Sequence, residues 1–539
     1  MERKLKADAV IVGGGIAGIT AALELLDKDK SVLILDRDFP EKFGGLARES
    51  FGGIFMVDTP VQRKTGIRDS ASLALSDWTA TAEYPEDAVW PRKWAEYYVD
   101  SSRERIHDWL LSRGQKFFPI VHWAERGLFR PGNSVPRFHM LIGLGAGAAK
   151  SLSEQLLFHR NRNRLAVLFR HNVTKLIIGK NTVGCTGLNE ENEELFSAEA
   201  ENLIIASGGL NGDLNRVRKN WDRESFGEPP EVILNGSHRY ADGAVHDLIA
   251  GLGGNVTFEQ NMWNYPSGVH HPEPDKENHG LTIVPPKSAL WMNYEGRRIG
   301  PMPLVTAYDT RYIVERICQE KRKYSWQILN WKIAVKELAV QNSDYNEAMR
   351  DKKTLKFIFN VIFGNEKLVK RMTETCKDFV TADTVQELAE KMNALNGDNA
   401  VNASLLEEEI RKYDAGILRG EIFHNDEQLR RIAHARQYRG DRLRTCRFQP
   451  ILDRKAGPLI AIREFINSRK SLGGIQTDLS SRVLTSSGAV IPGVYAVGEC
   501  AGFGGGGIHG KGALEGTFLG SCILTARSAA DHINGGKKK

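Results

Sequence analysis

The sequence predicts an α/β protein built on a Rossmann-like dinucleotide-binding domain. Three observations say so: a strand–glycine turn–helix unit near its start, a second strand ending in an acid, and enough ordinary globular sequence for more than one domain. Ala9–Val12 are four apolar residues in a row, a buried strand, and Ile16–Leu25 carry apolar residues at helical spacing. Gly13, Gly15 and Gly18 between and within them complete G-x-G-x-x-G. Gly13 permits the tight turn, Gly15 lets the backbone approach a pyrophosphate, and Gly18 lets helix and strand pack closely. The N–H groups that open the helix, from Ile16 and Ala17, and its positive dipole end would face the phosphates. The second strand, SVLILD, ends in Asp36, followed by Arg37. It lies about 20 residues on, where a carboxylate would bond a ribose hydroxyl.

Composition narrows the class. At 539 residues, with 41% hydrophobic and 26% charged, the chain suits a soluble multidomain enzyme. The net charge of +6 is spread along the sequence, so no nucleic-acid face is expected. Cys185, Cys318, Cys376, Cys446, Cys500 and Cys522 stand far apart with no C-x-x-C. That pattern gives no zinc or iron–sulfur motif, no redox pair and no metal site, and it fits a reducing compartment. No apolar run approaches the roughly 20 residues of a membrane span. The basic start MERKLKADAVIV has as its apolar part the first strand, without a small-residue cleavage site, so a cytoplasmic location is expected.

Three later segments choose the dinucleotide: Asn202–Gly209, a strand running into Gly-Gly; Gly473–Asp478; and Gly493–Cys500, a strand ending in Gly498-Glu499 before a glycine-rich loop and a helix from about Gly512 to His532. An acid at the end of so late a strand suits the ribityl hydroxyls of a flavin. IIASGG resembles the A-T/S-G-G turn, and GVYAVGE the late G-D/E element, of FAD proteins of the succinate dehydrogenase/fumarate reductase flavoprotein superfamily. Within it, KSLGGIQTDLSSRVL and YAVGECAGFGGGGIHGKGALEGTFLG are similar to FAD-binding dehydrogenases related to 3-ketosteroid Δ1-dehydrogenases, as are WMNYEGRRIGPMP and YSWQILNWKI.

That resemblance implies a Rossmann-like FAD-binding domain split in sequence, at 1–260 and 463–539, with an inserted α+β cap or substrate domain at 261–462. Helical spacing over Arg311–Val340 and Asp383–Ala394 falls in the insert. It further implies that Gly13, Gly15, Gly18 and Asp36 hold the ADP half of FAD, with Gly44, Gly45 and Leu46 near the pyrophosphate. Val173 would offer backbone to adenine, and Ala206, Ser207 and Gly208 would line the cofactor channel. Gly498 and Glu499 would meet the ribityl chain, while Ala513 and Leu514 would open the last helix at the flavin's pyrimidine edge. Non-covalent FAD is implied, because the superfamily's covalent members use an early histidine and the first here is His107.

The expected reaction is oxidation of a CH–CH bond next to a carbonyl on an apolar ketone, with hydride passing to the flavin and a separate electron acceptor. The alternatives are a fumarate-reductase-type reductase of an α,β-unsaturated acid and a non-catalytic flavin-binding redox sensor. The fumarate reductases' H-G-x-N-R-L-G-G is HGKGALEG here, so Ala513 stands at their arginine; their H-T-M-G-G is KSLGG, so Lys470 stands at their histidine. Where Δ1-dehydrogenases carry Y-P-G-x-G, the chain has Phe503-Gly504-Gly505-Gly506-Gly507, and loop N–H groups would have to polarise the ketone. Candidate proton carriers are His509, whose ordinary pKa suits neutral pH, the phenols Tyr265 and Tyr308, and Lys511. Glu515 reads as an acid opening the last helix, where the dipole favours it. His270, His271 and His279 read as a solvated loop. YSWQILNWKIAVKEL reads as a cap helix, with a membrane-surface helix the alternative.

Overall fold

The computed structural model describes residues 3–127, 129–300 and 309–535. The chain divides into two compact units, the first comprising 1–221, 237–263 and 469–539 and the second 222–236 and 264–468. Against the expected boundaries, 261–263 belong to the first unit, and two longer stretches, 222–236 and 463–468, belong to the second. The backbone explains both: Ile233–Asn235 pairs in parallel with Ile466–Ser468, so the ladder ties these stretches together.

The first unit is built on a six-stranded sheet. Its elements are β1 (Ala9–Val12), α1 (Ile16–Leu26), β2 (Val32–Leu35), β3 (Leu165–Leu168), β4 (Asn202–Ile205), β5 (Arg482–Leu484), β6 (Val490–Ala496) and α2 (Thr517–Ile533). The strand order is β5-β6-β4-β1-β2-β3. All neighbours are parallel except β5 and β6. Such strands are covered on both faces, which is why AVIV and VLIL are unbroken apolar runs and every residue in them is buried. All of α1 is buried except Glu24. That carboxylate accepts from Trp109 Nε1 (2.8 Å), Arg113 (3.0 Å) and, on α2, Arg527 (3.1 Å). Burial pushes its pKa up, but these partners win and hold it below the ordinary value. The strand-rich stretch after β3 joins a second sheet, in the order Arg3–Lys6, Leu195–Ala200, Val183–Asn189, His171–Ile178.

GLGAGAAK opens a helix, Leu144–Leu157, and a strand does precede it; Phe138–Leu141 lies in a small antiparallel sheet.

The second unit is a mixed sheet of eight strands whose longest member is Leu459–Ser471. Arg311–Val340 is not helical throughout. Thr310–Cys318 and Trp331–Glu337 are helices, and Tyr324–Asn330 between them is a strand antiparallel to Leu459–Phe465. Ser325–Asn330 are all buried, so YSWQILN is a strand covered on both faces and its Trp-bearing side is core. The helix expected over Asp383–Ala394 is Val385–Asn396, with Thr384 accepting from Glu387 N–H at its start (3.1 Å). His270 ends a strand and bonds Asp378 Oδ2 (2.7 Å), and His271 stacks on His279 at 4.2 Å; the solvated-loop reading is corrected. Tyr265 is buried within the strand Met262–His270, and Tyr308 lies outside the described residues.

Candidate functional site

The three glycines of the first turn do three different things. Gly13 has φ +110, and a Cβ there would collide with the carbonyl of Ala206, just beyond β4. A Cβ on Gly18 would run into the Gly13 carbonyl, so α1 can lie against β1 only without one. Gly15 has an ordinary φ of −72, and a Cβ on it would meet nothing within 4 Å. Only at Gly15, then, is the space kept for something other than this chain. No side chain caps α1, so its first N–H groups point at that space without a side-chain acceptor.

Around this opening the other cradle residues converge. Asp36 follows β2 and accepts from Gly14 N–H and Asp38 N–H, both 2.8 Å. Two of its lone-pair directions are thus used and two remain for hydroxyl donors. Burial raises its pKa. Gly44 bonds Gly14 O (2.9 Å) and Gly45 has φ +58, bringing the turn that contains Leu46 beside Gly15. Arg37 is held by Glu190 (2.8 Å) and Asp242 (3.0 Å), with its guanidinium over Tyr240, so it walls the cradle through those partners. Val173 is buried and pairs with Gly187 next to a register shift.

Ala206, whose N–H bonds Val12 O (2.8 Å), leads to Ser207 and Gly208. The next residue, Gly209, is the second of the Gly-Gly pair, and a Cβ on it would fill the space of Ser471 Oγ and Glu499 Oε1. Gly498, at φ +70, lies against Ala17 and donates to Thr525 Oγ1 (2.9 Å), which docks the end of β6 on α1 and α2. Gly498–Cys500 is a short 3-10 turn beyond the strand. Glu499 accepts from Ser471 N–H at 3.0 Å, and burial pushes it up to about 7 against the pull of Ser471 and Lys470.

The last helix corrects the sequence reading. It begins at Thr517, after Gly516 at φ +97, so Ala513, Leu514 and Glu515 precede it. Residues 501–512 are a chain of tight turns and nearly all buried. Their N–H groups are used internally: Gly504 and Gly506 donate to Ala501 O, Gly507 to Gly504 O, and Gly505 to Thr477 Oγ1. With Phe503 donating to Gly498 O as well, every N–H of Phe503–Gly507 is taken, and the expectation that they polarise a ketone is corrected. By contrast, Ala513 and Leu514 are buried, and their N–H groups find no acceptor among the described residues. Buried donors of that kind need a ligand acceptor. With the open space at Gly15 and the carboxylates of Asp36 and Glu499, they fit a flavin dinucleotide from its pyrophosphate to its ring edge.

His509 is buried at 0% exposure. Its ring stacks on Trp78 (5.5 Å) and contacts Phe503 and Phe518, and neither nitrogen has a hydrogen-bond partner. Burial, helped by the charge of Lys470, drives its pKa down to about 3; the expectation of titration near neutrality is corrected. Phe503 takes φ +62, the left-handed region rarely open to an aromatic residue. The turn is pinned from outside by Trp78 Nε1 and Tyr84 OH, both donating to Ile508 O. Lys511 is anchored through its N–H to Ala82 O (2.7 Å).

Lys470 stands nearby. Its Nζ lies 3.8 Å from the Phe518 ring centroid, and burial brings its pKa down to about 8 although Glu515 opposes the shift. Glu515 does not open the helix; its carboxylate accepts from Trp263 Nε1 at 2.8 Å. Trp78, Trp263 and Phe518 carried no sequence signal for these roles, being separated from their partners by long stretches of chain.

Strand ends, glycine cradle and late acid together define a flavin dinucleotide-binding protein. A model of the FAD binding domain family matches residues 8–519, and the chain belongs to that family. It is 39% identical to a KsdD-like steroid dehydrogenase of Mycobacterium tuberculosis over 97% of this chain and 95% of that one. The Mycolicibacterium smegmatis relative of the same description is 39% identical over 95% and 96%. Among solved structures, 3-ketosteroid Δ1-dehydrogenase from Sterolibacterium denitrificans has a TM-score of 0.69 at 16% identity, covering 99% of this chain and 100% of that one. A flavocytochrome c3 fumarate reductase gives 0.68 at 17%, covering 98% and 78%. The chain is an FAD-dependent dehydrogenase with the fold that both enzymes share.

Proposed function

We propose that this chain oxidises a CH–CH bond next to the carbonyl of an apolar, 3-ketosteroid-like ketone and passes electrons to a separate acceptor. The observation that carries the reading is 39% identity with KsdD-like steroid dehydrogenases along nearly the whole chain. Non-covalent FAD, when bound, supplies the hydride acceptor. We assign Gly13, Gly15, Gly18 and Asp36 to its ADP half, Glu499 to the ribityl chain, and the N–H groups of Ala513 and Leu514 to its ring edge. Lys470 takes the substrate proton at Nζ, since its amine is the group whose surroundings favour release near neutral pH. Glu515, fixed by Trp263, opposes that shift and sets its extent. His509 is a packing ring, and Lys511 supplies charge. The enzyme is cytoplasmic in this reading.

Anaerobic incubation of FAD-loaded protein with 4-androstene-3,17-dione and simpler cyclic ketones tests the reading. Bleaching of the flavin band with formation of a further conjugated ketone is expected, while succinate leaves it yellow. Bleaching by succinate alone, or by no donor, would overturn it. Acid precipitation should release the flavin into the supernatant.

A further inference from the structure

The helix Thr354–Phe363 in the second unit is turned the wrong way round for a soluble protein. Leu355, Ile358, Phe359, Ile362 and Phe363 recur at spacings of three and four and form one stripe. A surface helix ordinarily lays such a stripe on its core. Here these side chains are 85%, 46%, 58%, 47% and 66% exposed, and no residue of the helix is buried. The rings of Phe359 and Phe363 meet at 4.8 Å, so the stripe is a continuous patch. The helix is held to its unit at its far end. Lys336 Nζ donates to Ile362 O (2.7 Å) and Val361 O (3.2 Å), and Asn365 N–H donates to Val335 O (2.8 Å). These contacts leave the apolar side uncovered.

Charge says what covers it. Lys352, Lys353 and Lys356 are all exposed at the start of the helix, and no acidic residue lies between Lys352 and Asn365. Lys353 pairs with Asp351 at 3.3 Å; Lys352 and Lys356 form no ion pair among the described residues. A second copy docked by this stripe would bring two sets of lysines around one patch, and like charges so placed repel. A helix of ten residues is also far too short to span a bilayer, which needs about 20. Apolar side chains on one face with lysines at its border match a surface whose interior is hydrocarbon and whose rim is anionic.

We propose that Thr354–Phe363 is an interfacial helix that docks the protein on an anionic lipid bilayer. The five apolar side chains enter the acyl boundary, and the lysines lie among the headgroup phosphates. The segment that invited a membrane reading from sequence, Tyr324–Leu338, is core; the surface element is a different helix. A bilayer is also where apolar ketones collect, but the docking does not depend on that substrate.

The test is flotation of the full-length, FAD-loaded protein with vesicles of phosphatidylcholine alone or with about 30% phosphatidylglycerol, at low and high salt. The protein should float with the anionic vesicles and bind the neutral ones at least about tenfold more weakly. Phe359→Ser with Phe363→Ser should abolish flotation. Lys352→Glu, Lys353→Glu and Lys356→Glu together should remove the preference for anionic lipid and its salt dependence. Because every altered side chain is exposed, bound flavin and melting temperature serve as controls and should not change. Failure to float with either vesicle, flotation unaffected by the serine variant, or a solution dimer that this variant converts to monomer would each overturn the proposal.

Discussion

Two glycine-rich runs, Gly13–Gly18 and Gly502–Gly512, look alike in composition and do opposite things. In the first, Gly13 and Gly18 remove side chains so that backbone can touch backbone, and Gly15 leaves space open. In the second, the glycines let the chain fold back on itself until its N–H groups are consumed and His509 is sealed among aromatic rings. A glycine run therefore advertises close approach, but not of what. The discriminating quantity is whether a Cβ would strike protein or empty space.

Single methyl groups should split the first run. Gly18→Ala puts a Cβ into the Gly13 carbonyl and should cost roughly 2 kcal/mol or more of stability, with FAD binding lost alongside. Gly15→Ala meets nothing in the protein, so its stability without flavin should stay within about 0.5 kcal/mol. Its FAD affinity should still fall at least about tenfold, because the methyl stands where phosphate would approach. Denaturant melts of flavin-free protein and flavin titrations separate the two. Equal loss of stability in both variants would dissolve the distinction.

The second run is tested through the side chains beside it. If Lys470 takes the proton, Lys470→Met should slow anaerobic flavin reduction by about 100- to 10,000-fold while flavin stays bound. In the unaltered protein the rate should climb as pH passes about 8, since only the neutral amine accepts a proton. His509→Phe should leave the rate within about threefold, as expected of a packing ring. Its signature is in stability. The imidazole has a pKa of about 3 when folded against an ordinary 6.5, so the unfolded chain binds the extra proton as pH falls below 6.5. The stabilisation is complete above 6.5 and is lost between 6.5 and 3, at up to about 1.4 kcal/mol per pH unit. His139 and His246 are lowered similarly, to about 4, so only the difference between variant and parent isolates His509. Phenylalanine should flatten that loss by the His509 share.

The first run was legible because its signal is local: strand, turn, helix and acid lie within Ala9–Asp36, and the elements fall where spacing put them. The end of the chain was less so. Gly512 to Glu515 were read into the last helix because nothing in that short run forbids helix, yet Gly516 at φ +97 starts it at Thr517. YSWQILN was read as helix because a strand buried on both faces has no alternation to betray it. Lys470 and Glu515 were both visible as residues. What sequence could not supply was Trp263 and Phe518 beside them, contacts made only by folding.

The smallest effect is also the most specific. Glu515→Gln keeps an acceptor for Trp263 Nε1, so the geometry should survive, but it removes the negative charge that holds Lys470 up. Burial then acts on the amine with less opposition, and its pKa falls further below its ordinary value of 10.5. The rising limb of the pH–rate profile should move to lower pH by up to about one unit, with the plateau nearly unchanged. A group that merely packs near Lys470 would change the plateau or nothing at all. No shift, or a shift towards higher pH, would mean that the titrating group does not feel the Glu515 charge, and Lys470 would be removed as the proton carrier.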